Sequence, residues 1–93
     1  MTRNEDMLVS NIENFVDDVV KKYPGVTFET SVVEDSYGYD VLLISLNSNQ
    51  KTIRYDIQVN LYDPETYGGS DKLVSFDSTL RKYIKNEIDD ILK

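Results

Sequence analysis

The sequence predicts an α+β domain in two layers: a three-stranded antiparallel meander between an N-terminal and a C-terminal helix, with an optional short fourth strand. Three observations predict it. Ile53, Tyr55, Ile57, Val59 and Leu61 alternate with Thr52, Arg54, Asp56, Gln58, Asn60 and Tyr62, the period of a half-buried strand rather than of a helix face. Leu8, Ile12, Phe15, Val16, Val19 and Tyr23 recur at helical spacing before it, and Leu80, Tyr83, Ile84, Ile88, Ile91 and Leu92 do so after it. A sheet with one apolar face needs a covering layer, and two amphipathic helices supply one. The 93 residues are enough for one core, so residues 1–93 are read as a single domain.

Each element has a local cause. Thr2 and Glu5 have the spacing of a capping box, in which the hydroxyl meets an amide of the first turn and the carboxylate reaches back, so a helix starts there. Pro24-Gly25 stops it, because proline lacks an amide donor and disfavours helical geometry in the residue before it. Val26 to Glu34 reads as a strand with Val26, Phe28 and Val32 on one face. The turn-like Asp35-Ser36-Tyr37-Gly38-Tyr39 leads into a second strand, Asp40 to Leu46, with Leu42, Ile44 and Leu46 on the inner face. A polar turn, Asn47-Ser48-Asn49-Gln50, returns the chain into the third strand. Regular structure breaks from Asp63 to Asp71, which carries Pro64 and Gly68-Gly69. Lys72 to Phe76 reads either as a short edge strand, the preferred reading, or as an early helical turn, and Asp77 or Ser78 caps the last helix.

Composition removes several kinds of chemistry. There is no cysteine, hence no disulfide, thiolate nucleophile or zinc–thiolate site, and no histidine, hence neither the usual general base nor the commonest transition-metal ligand. The start of the chain lacks a signal-peptide apolar core, and no run approaches the ~20 apolar residues of a membrane span, so a cytoplasmic location is expected. Seventeen acids against ten bases give −7, which argues against nucleic acid or anionic lipid as direct partner and for a basic protein. The charge is uneven: residues 1–46 hold nine acids and three bases, residues 47–93 eight acids and seven bases.

In an up-down-up meander the first hairpin turn and the exit from the third strand lie at the same end of the sheet. That end gathers Glu34, Asp35 and Asp40 with Asp63, Glu65 and Asp71, and with them Tyr37, Tyr39, Tyr62 and Tyr67. Tyrosine offers a large, rigid contact surface at low entropic cost, so these ten residues are the candidate partner-binding site.

Other motifs fail. The stretch Asp63 to Val74 has acids at positions one, three and nine of a calcium loop and glycine at six. Tyr67 at five and Val74 at twelve replace required oxygen ligands, so no metal is expected. Gly68-Gly69-Ser70 lacks the lysine of a phosphate loop. Asp17-Asp18 and Asp89-Asp90 diverge by about 100° on a helix and form no catalytic pair. No catalytic residue, cofactor or enzymatic role is assigned. On the open sheet face, Arg54 and Asp56 project beside Gln58 and Asn60, and cross-strand ion pairing is the reading there. Val33, Val41 and Leu43 beside Tyr62 are read there as an apolar patch, a candidate homodimer surface.

In size, negative charge, lack of cysteine and histidine, and helix–sheet–helix order, the chain resembles the small phage-encoded anti-CRISPR proteins and other DNA-mimic inhibitors. The resemblance implies a protein that blocks the basic nucleic-acid channel of a nuclease, a Cas9-type effector above all, in the host cytoplasm. It carries no diagnostic motif, so no family residue is transferred. Two alternatives stand beside it: an immunity protein or antitoxin that neutralises a basic toxin, and a non-catalytic dimeric assembly module.

Overall fold

The computed structural model describes residues 3–49 and 51–93, with residues 51–54 in their backbone alone. Thr2 of the expected capping box, Gln50 and the side chain of Arg54 lie outside the described residues. The order is α1 (Arg3–Val20), β1 (Val26–Glu34), β2 (Asp40–Ser48), β3 (Lys51–Asn60), a 3-10 turn (Pro64–Thr66) and α2 (Ser78–Leu92). The three strands form one antiparallel sheet in the order β1-β2-β3, the expected meander. The optional fourth strand reduces to a single bridge between Tyr62 and Leu73.

Both helices lie on one face of the sheet. Leu8, Ile12, Val16 and Val19 of α1 and Ile84 and Ile88 of α2 close over Leu42, Ile44 and Leu46 of β2 and Ile57 and Val59 of β3. The alternation in the sequence places these side chains: Ile44 lies opposite Ile57 and Leu42 opposite Val59, so one face of the ladder is continuously apolar. Phe15 of α1 meets Phe76 edge-on at 6.0 Å, which fixes where the chain enters α2. Asp77 caps that helix, its carboxylate accepting from the Leu80 amide at 3.0 Å.

The open face corrects the sequence reading. Val41 is only 1% exposed on the central strand and Leu43 is half-buried, which leaves Val33, 41% exposed, as the open member of the expected patch. Asp56 accepts a hydrogen bond from the Ser45 hydroxyl at 2.7 Å across the sheet. Tyr62 is not on this face at all. The chain turns after Leu61, and the Tyr62 hydroxyl hydrogen-bonds Glu5 of α1 on the helix side.

The two edges of the sheet differ. On β3, the Gln58 carbonyl accepts from the Tyr83 hydroxyl at 3.1 Å, and residues 61–63 pair with 72–74 through Val74 N–H to Leu61 O and Asp63 N–H to Lys72 O. On β1, the Asp35 N–H to Tyr39 O and Asn49 N–H to Gly25 O bonds show that odd-numbered residues face β2. The peptide groups of Phe28, Thr30, Val32 and Glu34 therefore point outward.

No helix among the described residues is long and apolar enough to cross a membrane.

Candidate functional site

Three segments converge at one end of the sheet. The first is the β1–β2 turn. Asp35 organises it by accepting from the Tyr37 and Tyr39 amides at 2.9 and 3.0 Å, an aspartate closing its own turn, while Gly38 supplies the positive φ of 86° that reverses the chain. Those amide bonds, that of Tyr39 first, hold the Asp35 carboxyl below the ordinary 3.8.

The second segment is the loop after β3. Asp63 caps the 3-10 turn by accepting from the Glu65 amide at 3.0 Å, and Pro64 occupies the first helical position, where no amide is needed. The Thr66 hydroxyl donates to the Asp63 carbonyl at 2.7 Å and accepts from the Lys72 amide at 2.9 Å, stapling the loop base. Asp71 takes a positive φ of 45°, and its Oδ1 accepts from the Gly68 amide at 3.0 Å. Asp63 and Asp71 thus shape this loop locally, as Asp35 shapes the first. Among the described residues no group of three or more acidic side chains is placed to hold a metal ion.

Tyrosines lock the two loops together. The Tyr67 hydroxyl donates to Asp35 Oδ2 at 3.0 Å, while the Tyr39 hydroxyl donates to Asp71 and accepts from the Gly68 amide at 2.9 Å. The Tyr39 and Tyr67 rings stack with centroids 3.8 Å apart and planes 9° from parallel. Tyr62 tilts against Tyr39 at 5.6 Å and Tyr37 against Tyr67 at 5.9 Å, so four rings form a ladder from the helix side to the surface. Tyr37 is its outermost rung, 78% exposed. Burial, and then the Asp35 carboxylate, push the Tyr67 phenol up; Asp71 is the main cause for Tyr39.

The third segment is the first turn of α1. Glu5, expected to cap that helix, instead projects inward, 1% exposed, against Asp40 and Tyr62. Burial first, then the neighbouring Asp40 carboxyl, raise its pKa above the ordinary 4.5, while the Tyr62 hydroxyl pulls the other way. A neighbouring carboxyl disfavours the charged form of Glu5.

The ten expected residues thus divide. Asp35, Tyr39, Tyr67 and Asp71 are joined in one network, Asp63 builds the loop, and Asp40 and Tyr62 turn to Glu5. Glu34, Glu65 and Tyr37 remain exposed. Tyr37, Tyr39, Pro64, Tyr67 and Gly68 line an open groove of about 600 Å³. Sequence reasoning missed Glu5, although a signal existed: the short 21–25 connection reverses the chain, so the N-terminus of α1 must lie beside the hairpin turn. It also missed Pro64 and Gly68, whose placement depends on the loop conformation.

No family model matches the chain, and no curated protein or solved structure compared with it gives a significant match.

Proposed function

We propose that this protein is a non-catalytic inhibitor that seats the loop end of its sheet on the basic nucleic-acid channel of a nuclease, with a Cas9-type effector as the partner that the class resemblance singles out. The observation that carries the reading is the tyrosine ladder, which holds two acidic loops as one rigid surface with Tyr37 and Glu65 outermost. A pre-ordered surface loses little entropy on docking, and its negative field speeds encounter with a basic partner.

The structure changes which carboxylates do what in this reading. Asp35, Asp63 and Asp71 count towards the net charge, but a carboxylate oxygen of each already shapes the loops. Short-range pairing with lysine or arginine of the partner falls to Glu34, Glu65 and the Oδ2 of Asp71. Neutralising Asp35 or Asp63 would therefore disturb the fold of the surface as well as its charge.

The test is recovery of the partner from a host lysate, followed by electrophoretic competition with that partner's DNA or guide RNA. Competition that weakens with salt is expected. The Glu34→Gln, Glu65→Gln pair should slow association, and Tyr37→Ala should speed dissociation. Recovery of no basic nucleic-acid enzyme, or of one that still binds its substrate when saturated with this protein, overturns the reading.

A further inference from the structure

We propose that the groove between the two loops is a receptor for one arginine side chain of a protein partner, an inference that rests on the inhibitor reading and gives its surface a defined contact. The groove is walled by the rings of Tyr37, Tyr39 and Tyr67, by the Pro64 ring and by the backbone of Gly68, where no Cβ narrows the opening. Nothing lies within 4 Å of the place a Gly68 Cβ would occupy.

The chemistry of these walls selects the occupant. Aromatic faces attract a cation through their quadrupole, and a planar guanidinium also stacks on them. The Asp71 carboxylate contacts two of the lining residues. Asp71 directs Oδ1 to the Tyr39 hydroxyl and the Gly68 amide, and no bond to its Oδ2 exists among the described residues. Glu65, exposed, follows Pro64 directly.

A purely apolar side chain would use the rings and leave the Asp71 and Glu65 carboxylates without a counter-charge. A nucleobase would bring its phosphate against the same acids, and a net charge of −7 opposes that. A lysine ammonium satisfies the charge but does not stack as a plane on the rings. Arginine satisfies both demands. The ladder adds pre-organisation: Tyr67 is held by Asp35 and by its stack on Tyr39, so the inner wall is set before the guanidinium arrives.

The experiment titrates the full chain with two twelve-residue glycine–serine peptides, one carrying four arginines and the other four lysines, by calorimetry and by NMR of the tyrosine ring protons. At exposed sites a cation–π contact corresponds to about a two- to fivefold gain in affinity, and the arginine peptide should exceed the lysine peptide by at least that ratio. Shifts should concentrate on Tyr37 and Tyr67 and spare Tyr23 and Tyr83, which lie elsewhere. Tyr37→Leu, at an exposed position that does not support the core, should abolish the arginine preference, and Glu65→Gln should weaken both peptides.

Equal binding of the two peptides, or an arginine preference that survives Tyr37→Leu, overturns the proposal. The two readings fail separately. A nuclease still inhibited by a Tyr37→Leu protein that has lost arginine preference leaves the inhibitor reading standing and removes the groove from it. An arginine preference with no enzyme inhibited does the reverse.

Discussion

The two ends of the domain use the same pair of residue types for different ends. At the helix C-termini, the Tyr23 hydroxyl donates to Asp89, and Lys85 reaches the same carboxylate one turn away, while Lys21 pairs with Asp17. Asp17 and Asp89 each have a cation beside them, and the tyrosine ties helix to helix. At the loop end, Tyr67 donates to Asp35 and Tyr39 to Asp71, but no lysine or arginine is paired with either acid among the described residues. The first arrangement is electrically closed. The second is ordered by hydrogen bonds yet keeps its charge outward, and that difference separates a structural tie from a surface suited to a basic partner.

Removing the frame that holds the two ends apart should have the largest effect. Ile57 is buried at the middle of β3, so Ile57→Ala should cost about 2 to 5 kcal/mol from lost transfer energy and the residual cavity, measured by urea melts. Gln58→Ala, on the exposed face, should cost little, and equal losses would place the core on the other face.

The tyrosines should then separate the ends. Tyr23→Phe loses one hydroxyl bond between helices and should lower global stability by about 0.5 to 1.5 kcal/mol. Tyr39→Phe should leave the urea midpoint nearly unchanged and speed hydrogen exchange at the Gly68 amide, which bonds to that hydroxyl. Slower exchange at that amide, or an unaltered rate, would show that the loop does not depend on the tyrosine.

Acid sharpens the contrast through signs. Asp89, pulled down chiefly by Lys85 and then Tyr23, and Asp35, pulled down by its turn amides, both titrate below 3.8 when folded. Their stabilisation is present above 3.8 and is lost as pH falls through the folded value. Glu5 has the opposite sign: its folded pKa lies above 4.5, so it imposes a penalty that is absent below 4.5 and accrues as pH rises through the folded value. Glu5→Gln should therefore raise the thermal midpoint at pH 7, with the gain vanishing below about pH 4.5. Asp89→Asn should lower the midpoint at pH 7, with the loss closing in stronger acid. A midpoint lowered by Glu5→Gln at pH 7 would mean that the buried carboxyl is stabilised in its charged form.

The smallest effect on stability is expected at the surface. Glu65→Gln should move the urea midpoint by less than the equivalent of about 0.5 kcal/mol while reducing the salt dependence of partner binding. A large loss of stability would return Glu65 to the loop framework alongside Asp63.

The architecture was legible because period-two and period-3.6 patterns report which face is buried without knowledge of the partner element. Ile57, Leu42 and Ile84 were placed on that basis and lie in the core. The convergence of the two loops was legible from topology alone. What each carboxylate does was not, because Asp35 and Asp63 became acceptors for amides two to four residues away, which depends on the exact turn. Tyr62 illustrates the other limit. Strict alternation puts it on the open face, but a strand ends where its ladder ends, and past Leu61 the chain turns to Leu73 and Glu5.

The unlike edges of the sheet govern how copies of this protein can meet. An exposed row of amides and carbonyls is a template for another strand, and β1 presents one through Phe28, Thr30, Val32 and Glu34. On β3 the Gln58 carbonyl is taken by the Tyr83 hydroxyl, and past the end of the strand residues 61–63 pair with 72–74. A β1 edge laid along the C-terminal end of β3 in a second molecule would meet the Gln58 carbonyl already bonded. A two-fold β1–β1 contact would consume the free edge of both molecules and stop, whereas any other use of that edge would leave one copy of it open.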